Sequence, residues 1–494
     1  MKSQTLPQHI TRFAIFALVA TAILFFISPD SYTHELFGRC DSANFFMCGK
    51  AWMSGMTPYV DFTDSKGPLL WLIYGCGYLL SHYDYTGVFW LSCLCYVVIY
   101  QYTYKTTRLF IDDERLAFLA TILMSLAYFC PLWHYETRAE DFCLLFVVPS
   151  LYHTCRVLYG SNPAVARVLR NASFVLGLSF GATLMIKFTI AAMLGVFVLY
   201  VWFSAVTLRY GWWRSVGWMG VGALLPIAPF VILFSVQGNL ADFVSQYFLI
   251  TFQTVQEIRT TDSFVHDLAF KLMSNATVLL LLFTAVLVPL FVPYMRRFRL
   301  FPLVSLCVFL LIVIQNARWP YYFSICSPFM LFSVVALVKM FEAYGRSAVH
   351  TVNGVVVLLT VIGSVLLNYD YYYYSTHSMG FMNLFTQSDN AERRAYHHYA
   401  DAIAQKPHPT IIYLDSQCNP EFGVPAGALP GCRDWSQQTG ATQAMKQATR
   451  QAVVSKRADF VVATEPESVA MLSRLGYKMI KRDHLDTPYY LFAR

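Results

Sequence analysis

Long apolar runs, most of them closed by short clusters of Arg or Lys, set the pattern over the first three-quarters of this chain. The first run, Phe13 to Ile27, follows a short basic amino terminus. It predicts a membrane-spanning helix that stays attached, because no small-x-small cleavage site precedes SPDSY. Further spans are predicted at about 85–104, 116–131, 142–158, 171–186, 188–206, 217–236, 276–294 and 300–315. A tenth returns to Lys339 and Arg346, and an eleventh, about 351–368, ends in NYDYYYYS, an aromatic belt at an interface. The piece opened by Gly67-Pro68, PLLWLIYGCGYLL, is too short to span and predicts an interfacial or membrane-dipping helix. With the amino terminus in the cytoplasm, the Arg/Lys-dense turns all fall on the cytoplasmic side. The acid-rich loops, including 29–67 and a long polar stretch at 237–272, then fall outside. Counting 68–81 as a full span would invert everything after it.

From about residue 376 the apolar runs shorten and charges become ordinary. TIIYLD, DFVVAT and YYLFAR predict short strands, and ESVAMLSRLG predicts an amphipathic helix ending at Gly476. The expected fold is mainly α: a polytopic helical membrane domain over 1–375, with about eleven transmembrane helices, followed by a small extracytoplasmic α/β domain over 376–494.

Composition agrees. The 494 residues are 56% hydrophobic and 13% charged, with mean hydropathy +0.47, against about 25% charged residues in soluble domains. The net charge of +7 therefore reflects loop bias and gives no sign of nucleic-acid binding. Most of the 12 cysteines lie in apolar segments, and none forms a CxxC or a zinc-type Cys/His spacing. Cys418 and Cys432 flank a polar loop, where a disulfide would form if the loop lies outside. Phosphate-loop, dinucleotide and HExxH motifs are all missing from the sequence.

Against this background the stretch Cys40 to Pro68 stands out. It places Asp41, Asp61, Asp64 and Lys66 beside Tyr59 at the membrane edge. Other charges predicted on the same side are Arg138, Glu140 and Asp141 in TRAED, Lys187 between two spans, and Arg318 before Tyr321 and Tyr322. A carboxylate can take a proton from an attacking hydroxyl and cations can hold a phosphate; moving a sugar off a phosphate-linked lipid needs both. Each residue also has a structural use. Asp41 can cap a helix, Lys66 can snorkel, Arg138 can pair with Glu140 and Asp141, Lys187 can be a loop charge, and Arg318 with the tyrosines can anchor an interface. Most ionisable residues sit at span ends, which weighs against the alternative of a transporter or flippase of lipid-linked glycans.

The motifs D-S-x-x-F-x-x-x-G and G-x-x-P-Y-x-D-x-x-D-x-K-G-P-L carry a resemblance. In this sequence they are Asp41-Ser42, Phe45, Gly49, then Gly55, Pro58-Tyr59, Asp61, Asp64 and Lys66-Gly67-Pro68-Leu69. They resemble the first external loop of bacterial GT-C membrane glycosyltransferases, in the branch similar to protein O-mannosyltransferases and the lipid A aminoarabinose transferase. The resemblance implies a bacterial inner-membrane enzyme that transfers a sugar, with inversion, from a polyprenyl-phosphate donor to an extracytoplasmic glycan, lipid or protein. It implies Asp41 as the base or acceptor-orienting acid and Lys66 as a phosphate contact. Arg138, Lys187 and Arg318 are further candidates for the phosphate, and Asp61, Asp64, Glu140, Asp141, Tyr59, Tyr321 and Tyr322 for acceptor or support. RWPYY (318–322) resembles a later motif, with Pro320 where His is common. A divalent cation, Mg or Mn, held by Asp41, Asp61 and Asp64 stays open as a cofactor.

Overall fold

In a computed structural model, residues 6–28, 30–31, 40–130, 132–133, 138–160, 164–250, 272–273, 275–282, 300–316, 320–344, 359–364, 391–415, 420–436, 441–482 and 488–494 are described. The chain is mostly helical. The first helices are α1 (Leu6–Ile27), α2 (Cys40–Met53), α3 (Pro68–Leu80), α4 (Thr86–Thr107), α5 (Glu114–Leu123) and α6 (Ser125–Tyr128). They are followed by α7 (Ala139–Tyr159), α8 (Val165–Ile186), α9 (Phe188–Thr207), α10 (Trp212–Gln237), α11 (Leu240–Phe243) and α12 (Leu300–Asn316). A 3-10 segment, Pro320–Met330, then runs into α13 (Leu331–Tyr344).

Seven helices among the described residues are long and apolar enough to cross a membrane: 10–27, 86–107, 139–159, 165–186, 188–207, 212–237 and 320–340. They correspond to seven of the eleven expected spans. The expected span 116–131 is instead broken at Met124 into α5 and α6. The expected span 300–315 is an apolar helix of 17 residues. The expected spans 276–294 and 351–368 lie largely outside the described residues. Helix α3 has 13 residues with Pro68 in its first turn, as its length and Gly-Pro start predict.

Close helix packing is concentrated where α8 meets α10. A Cβ at Gly177 or Gly181 of α8 would fall on the Met219 or Ala223 carbonyl of α10, and one at Gly222 of α10 would fall on the Phe174 carbonyl. Small residues four apart let the two backbones touch, and the Ser173 and Ser215 hydroxyls bond across the seam at 2.7 Å.

Charge divides the bundle into two ends. Arg12 lies over the Tyr104 ring at 4.4 Å and shares an electrostatic neighbourhood with Lys105 and Arg156. Arg170, at the start of α8, faces Trp218 near the start of α10. At the opposite end the starts of α2, α7, α9 and the 3-10 segment converge. That segment is 11 residues long, well beyond the three or four usual for 3-10 geometry, and such stretches often mark functional positions.

The carboxy-terminal unit begins with α14 (Ala391–Ala404) and contains β1 (Thr410–Tyr413), β2 (Leu429–Pro430), α15 (Gln443–Val454), β3 (Phe460–Ala463), α16 (Pro466–Arg474), β4 (Lys478–Arg482) and β5 (Tyr490–Ala493). The sheet order is β2-β1-β3-β5-β4; β1 is parallel to β2 and β3, and β5 is antiparallel to β3 and β4. The predicted strands and helix are present, and Gly476 takes the left-handed conformation past α16 (φ 75°). Asp415, just beyond β1, accepts the Thr464 and Glu465 N–H groups and the Ser468 hydroxyl. This carboxylate thereby satisfies the amino-terminal end of α16. The expected Cys418–Cys432 pairing lies outside the described residues.

The α8–α10 seam yields a paired test. Gly177→Val should destabilise the detergent-solubilised protein by ~1–3 kcal/mol through over-packing. Gly217→Ala, whose Cβ would meet open space, should leave the melting temperature unchanged.

Candidate active site

The site forms where four chain segments end. Asp41 is in the first turn of α2, Arg138 precedes α7, and Glu140 lies just inside α7. Lys187 is the single extended residue between α8 and α9 (φ −153°, ψ 102°). Tyr321 and Tyr322 open the 3-10 segment.

Two ion pairs tie these ends together. Arg138 Nη1 donates to Asp41 Oδ2 at 3.2 Å, and the Tyr321 hydroxyl donates to the same oxygen at 3.5 Å. Lys187 Nζ donates to Glu140 Oε1. Each cation is also capped by an aromatic ring. The Arg138 guanidinium lies 3.6 Å from the Tyr321 ring centre, and the Lys187 ammonium lies 4.0 Å from that of Tyr322. The two tyrosines stack at 4.4 Å, so one aromatic wall contacts both pairs.

Asp141 serves as the foundation. Its Oδ2 accepts the Arg138 backbone N–H and its Oδ1 the Tyr96 hydroxyl, both at 2.9 Å. The expected pairing of Arg138 with Glu140 and Asp141 is therefore replaced: Arg138 reaches across to Asp41, Glu140 holds Lys187, and Asp141 caps the helix start.

The loop after α2 supplies Lys66. Its ammonium bonds Ser65 Oγ at 2.8 Å and lies 5.4 Å from the Phe45 ring centre. Gly67 explains how it gets there. The Gly67 N–H donates to the Ile186 carbonyl at 2.9 Å, and a Cβ at Gly67 would fall on the Met185 carbonyl. Only glycine lets the loop seat on the carboxy-terminal end of α8, one residue before Lys187.

The other loop residues take structural places. Asp61 accepts the Thr57 N–H at 2.7 Å and closes a turn. Tyr59 is fully buried, with φ 66°, and its ring packs on Trp71, Phe234 and Phe243. It is a core residue of the loop with no acceptor-facing surface. Asp64 accepts the Lys66 N–H at 3.0 Å. Arg318 lies outside the described residues. Among the described residues, no three His, Cys, Asp or Glu side chains group as metal ligands, so the Asp41/Asp61/Asp64 arrangement is not formed.

Electrostatics separates the two partly buried carboxylates. Burial pushes the Asp41 carboxyl up, but Arg138, Lys66, Lys187 and the Tyr321 hydroxyl together hold it below the ordinary carboxylate range. Burial raises Asp64, and Lys66 only partly offsets it. Burial would lower Lys66, but Asp64 and Asp41 outweigh it and hold its ammonium at about 12.

The segment after α10 departs from its expected form. It was expected as part of a long polar loop, but Leu240–Ile250 is an apolar helix, α11 continued by a π-helical turn, that buttresses the site. Asn239 Nδ2 donates to the Pro58 carbonyl at 2.9 Å. The Tyr247 hydroxyl accepts the Phe188 N–H at 3.1 Å and donates to the Leu184 carbonyl at 2.7 Å. It thus satisfies backbone groups left open where the helix breaks at Lys187. The apolar run VSQYFLI was the available signal.

Comparison with known structures decides the architecture. The crystal structure of ArnT from Cupriavidus metallidurans bound to undecaprenyl phosphate superposes with a TM-score of 0.61, covering 99% of this chain and 98% of that one at 16% identity. The apo structure of the same protein gives 0.60 at 15% identity, with the same coverage. The chain has the fold of that ArnT protein. Residues 65–233 also match the model of the dolichyl-phosphate-mannose-protein mannosyltransferase family. That region is about a third of the chain and contains Lys66, Arg138, Glu140 and Lys187 but not Asp41. No curated protein sequence matches it.

The charge network has a pH signature. Arg138→Gln removes the largest charge holding Asp41 down, so the Asp41 pKa rises. The acid limb of the kcat/KM profile should move to higher pH than in the wild type. Stability follows the same sign. The depressed Asp41 contributes above the unfolded carboxyl pKa, and that contribution is lost as pH falls through the folded value. The substitution should remove it, as measured by melting temperature against pH.

Proposed function

We propose that this protein is an inverting glycosyltransferase that moves a sugar from a polyprenyl-phosphate donor to an extracytoplasmic acceptor, a glycan, lipid or protein of the cell envelope. One observation carries the proposal: a depressed carboxylate, Asp41, shares one end of the bundle with three cations, Lys66, Arg138 and Lys187. A small apolar pocket lined by Ile190, Met193, Ile312 and Ile325 adjoins the Lys187–Glu140 pair beside Tyr322. The ArnT structure bound to undecaprenyl phosphate favours such a donor.

In this mechanism Lys66, Arg138 and Lys187 hold the donor phosphate, which competes with Asp41 and Glu140 for two of them. Asp41 takes the proton from the acceptor hydroxyl. The hydroxyl oxygen attacks the anomeric carbon opposite the phosphate, and the bond from that carbon to the phosphate oxygen breaks. Polyprenyl phosphate leaves with the bonding pair, neutralised by the cations, and the anomeric configuration inverts. Asp64 and Tyr321 orient these groups, and the acceptor binds over them. Chelation distinguishes the side-chain cations from a divalent ion as the source of positive charge. Transfer is expected to survive EDTA, and its loss would assign the role to a metal.

The membrane orientation follows from charge. The Arg/Lys-rich end of the bundle takes the cytoplasmic side of a bacterial inner membrane, and the site and carboxy-terminal unit take the other. A reporter active only in the cytoplasm and fused after Arg494 should be silent, and an active fusion would reverse the orientation.

The decisive assay is transfer from synthetic polyprenyl-phosphate sugars by the purified protein. Asp41→Asn should lower kcat by ~10²–10⁴-fold. Lys66→Ala should raise the donor KM roughly 10–100-fold, the worth of one charge-assisted hydrogen bond. Full activity in Asp41→Asn would remove the proposed base.

A further inference from the structure

Helix α2 carries Asp41 at one end and is buried on all sides: Phe45, Phe46, Met47, Cys48 and Ala51 are each at most 1% exposed. The membrane bundle accounts for only part of this. Gly49 packs backbone-to-backbone on Gly75 of α3. The opposite face is covered by the carboxy-terminal unit. Met47 lies 3.4 Å from where a Gly423 Cβ would stand, and Lys50 Nζ lies 3.6 Å from the corresponding point at Gly427. The Trp435 indole, itself 1% exposed, sits against the Cys48 thiol. The loop is held as well. The Thr63 N–H, next to Asp64, donates to the Arg433 carbonyl at 3.0 Å.

The segment making these contacts is fixed by its own sheet. The Tyr413 N–H at the end of β1 donates to the Trp435 carbonyl at 2.7 Å, and Tyr413 bridges Ser436. The Thr449 hydroxyl of α15 donates to the Asp434 carbonyl at 2.7 Å. A rigid sheet edge is therefore clamped over both the helix that presents Asp41 and the loop that presents Lys66.

We propose that the segment Cys432–Trp435 is a positioning element of the active site, with Trp435 as its central residue, setting the place of Lys66 through the 57–66 loop and of Asp41 through α2. The carboxy-terminal unit is then a working part of the site. The inference rests on the glycosyltransferase reading for its consequence, but the bracing itself can be measured without that reading.

The experiment uses the full-length protein in detergent and two readouts. The first is acylation of the Lys66 amine at mildly alkaline pH, followed by mass spectrometry relative to exposed Lys478. In the wild type Lys66 should label slowly, because its neighbouring carboxylates keep it protonated. Trp435→Ala should raise Lys66 labelling severalfold, and Trp435→Phe should restore the wild-type rate. The second readout is binding of undecaprenyl phosphate. Trp435→Ala should weaken it tenfold or more, and in a Lys66→Ala background it should add no further loss. Unchanged Lys66 labelling, or losses that add, overturns the positioning role. Changed labelling in a protein that binds no undecaprenyl phosphate upholds the brace and overturns the glycosyltransferase reading. If Trp435→Ala does not fold, the milder Trp435→Leu is read by the same labelling criterion.

Discussion

A charge withdrawn from water at the edge of a membrane must be met by an opposite charge, since burying an ion costs several kcal/mol. Two pairs satisfy that constraint here, Arg138 with Asp41 and Lys187 with Glu140. Much else in the bundle is arranged to let them form. Asp141 fixes the start of α7 so that Arg138 points back toward α2 and Glu140 toward the α8–α9 break. The stacked tyrosines of the 3-10 segment cover both cations with ring faces. Four helix ends that are far apart in sequence are held in register by these few contacts.

The same constraint explains the less obvious residues. A break between two membrane helices exposes backbone groups that must find partners. At Lys187 the Tyr247 hydroxyl provides one from a segment sixty residues downstream. Gly67 then docks the 57–66 loop onto this same break. Lys66 and Lys187 are thus brought together by backbone contact, which does not depend on the charge of either side chain. Two like charges can share a site on these terms only because Asp41, Asp64 and Glu140 lie among them.

Local chemistry made part of this legible in the sequence. The Asp41–Lys66 loop, the TRAED motif and the carboxy-terminal strands all announce themselves by composition, spacing or alternation. Partnership was not legible. Nothing in the spacing of Arg138, Glu140 and Asp141 says that the first reaches Asp41, the second Lys187, and the third turns back on its own helix start. Tyr59 reads as a site residue because it lies among charges, yet its ring is committed to Trp71, Phe234 and Phe243. Hydropathy also misjudged continuity. A run from 116 to 131 has the composition of a span but breaks at Met124, and 237–272 has the overall polarity of a loop but opens with a partly buried apolar helix. Averages over a window hide both a kink and a short apolar face.

On the proposed reading, this network also sets what a donor must do. Arg138 is already paired with Asp41 and Lys187 with Glu140. A phosphate gains a foothold only by offering these cations more charge and more oxygens than a single carboxylate does. On the proposed reading, the displacement that admits the donor also frees Asp41 from its strongest partner. A carboxylate relieved of a guanidinium is a better base, because the charge that held its pKa down has been turned toward the phosphate. Donor binding and activation of the base are then one exchange of partners, and the rigid packing of α2 between bundle and sheet keeps Asp41 in place while that exchange occurs.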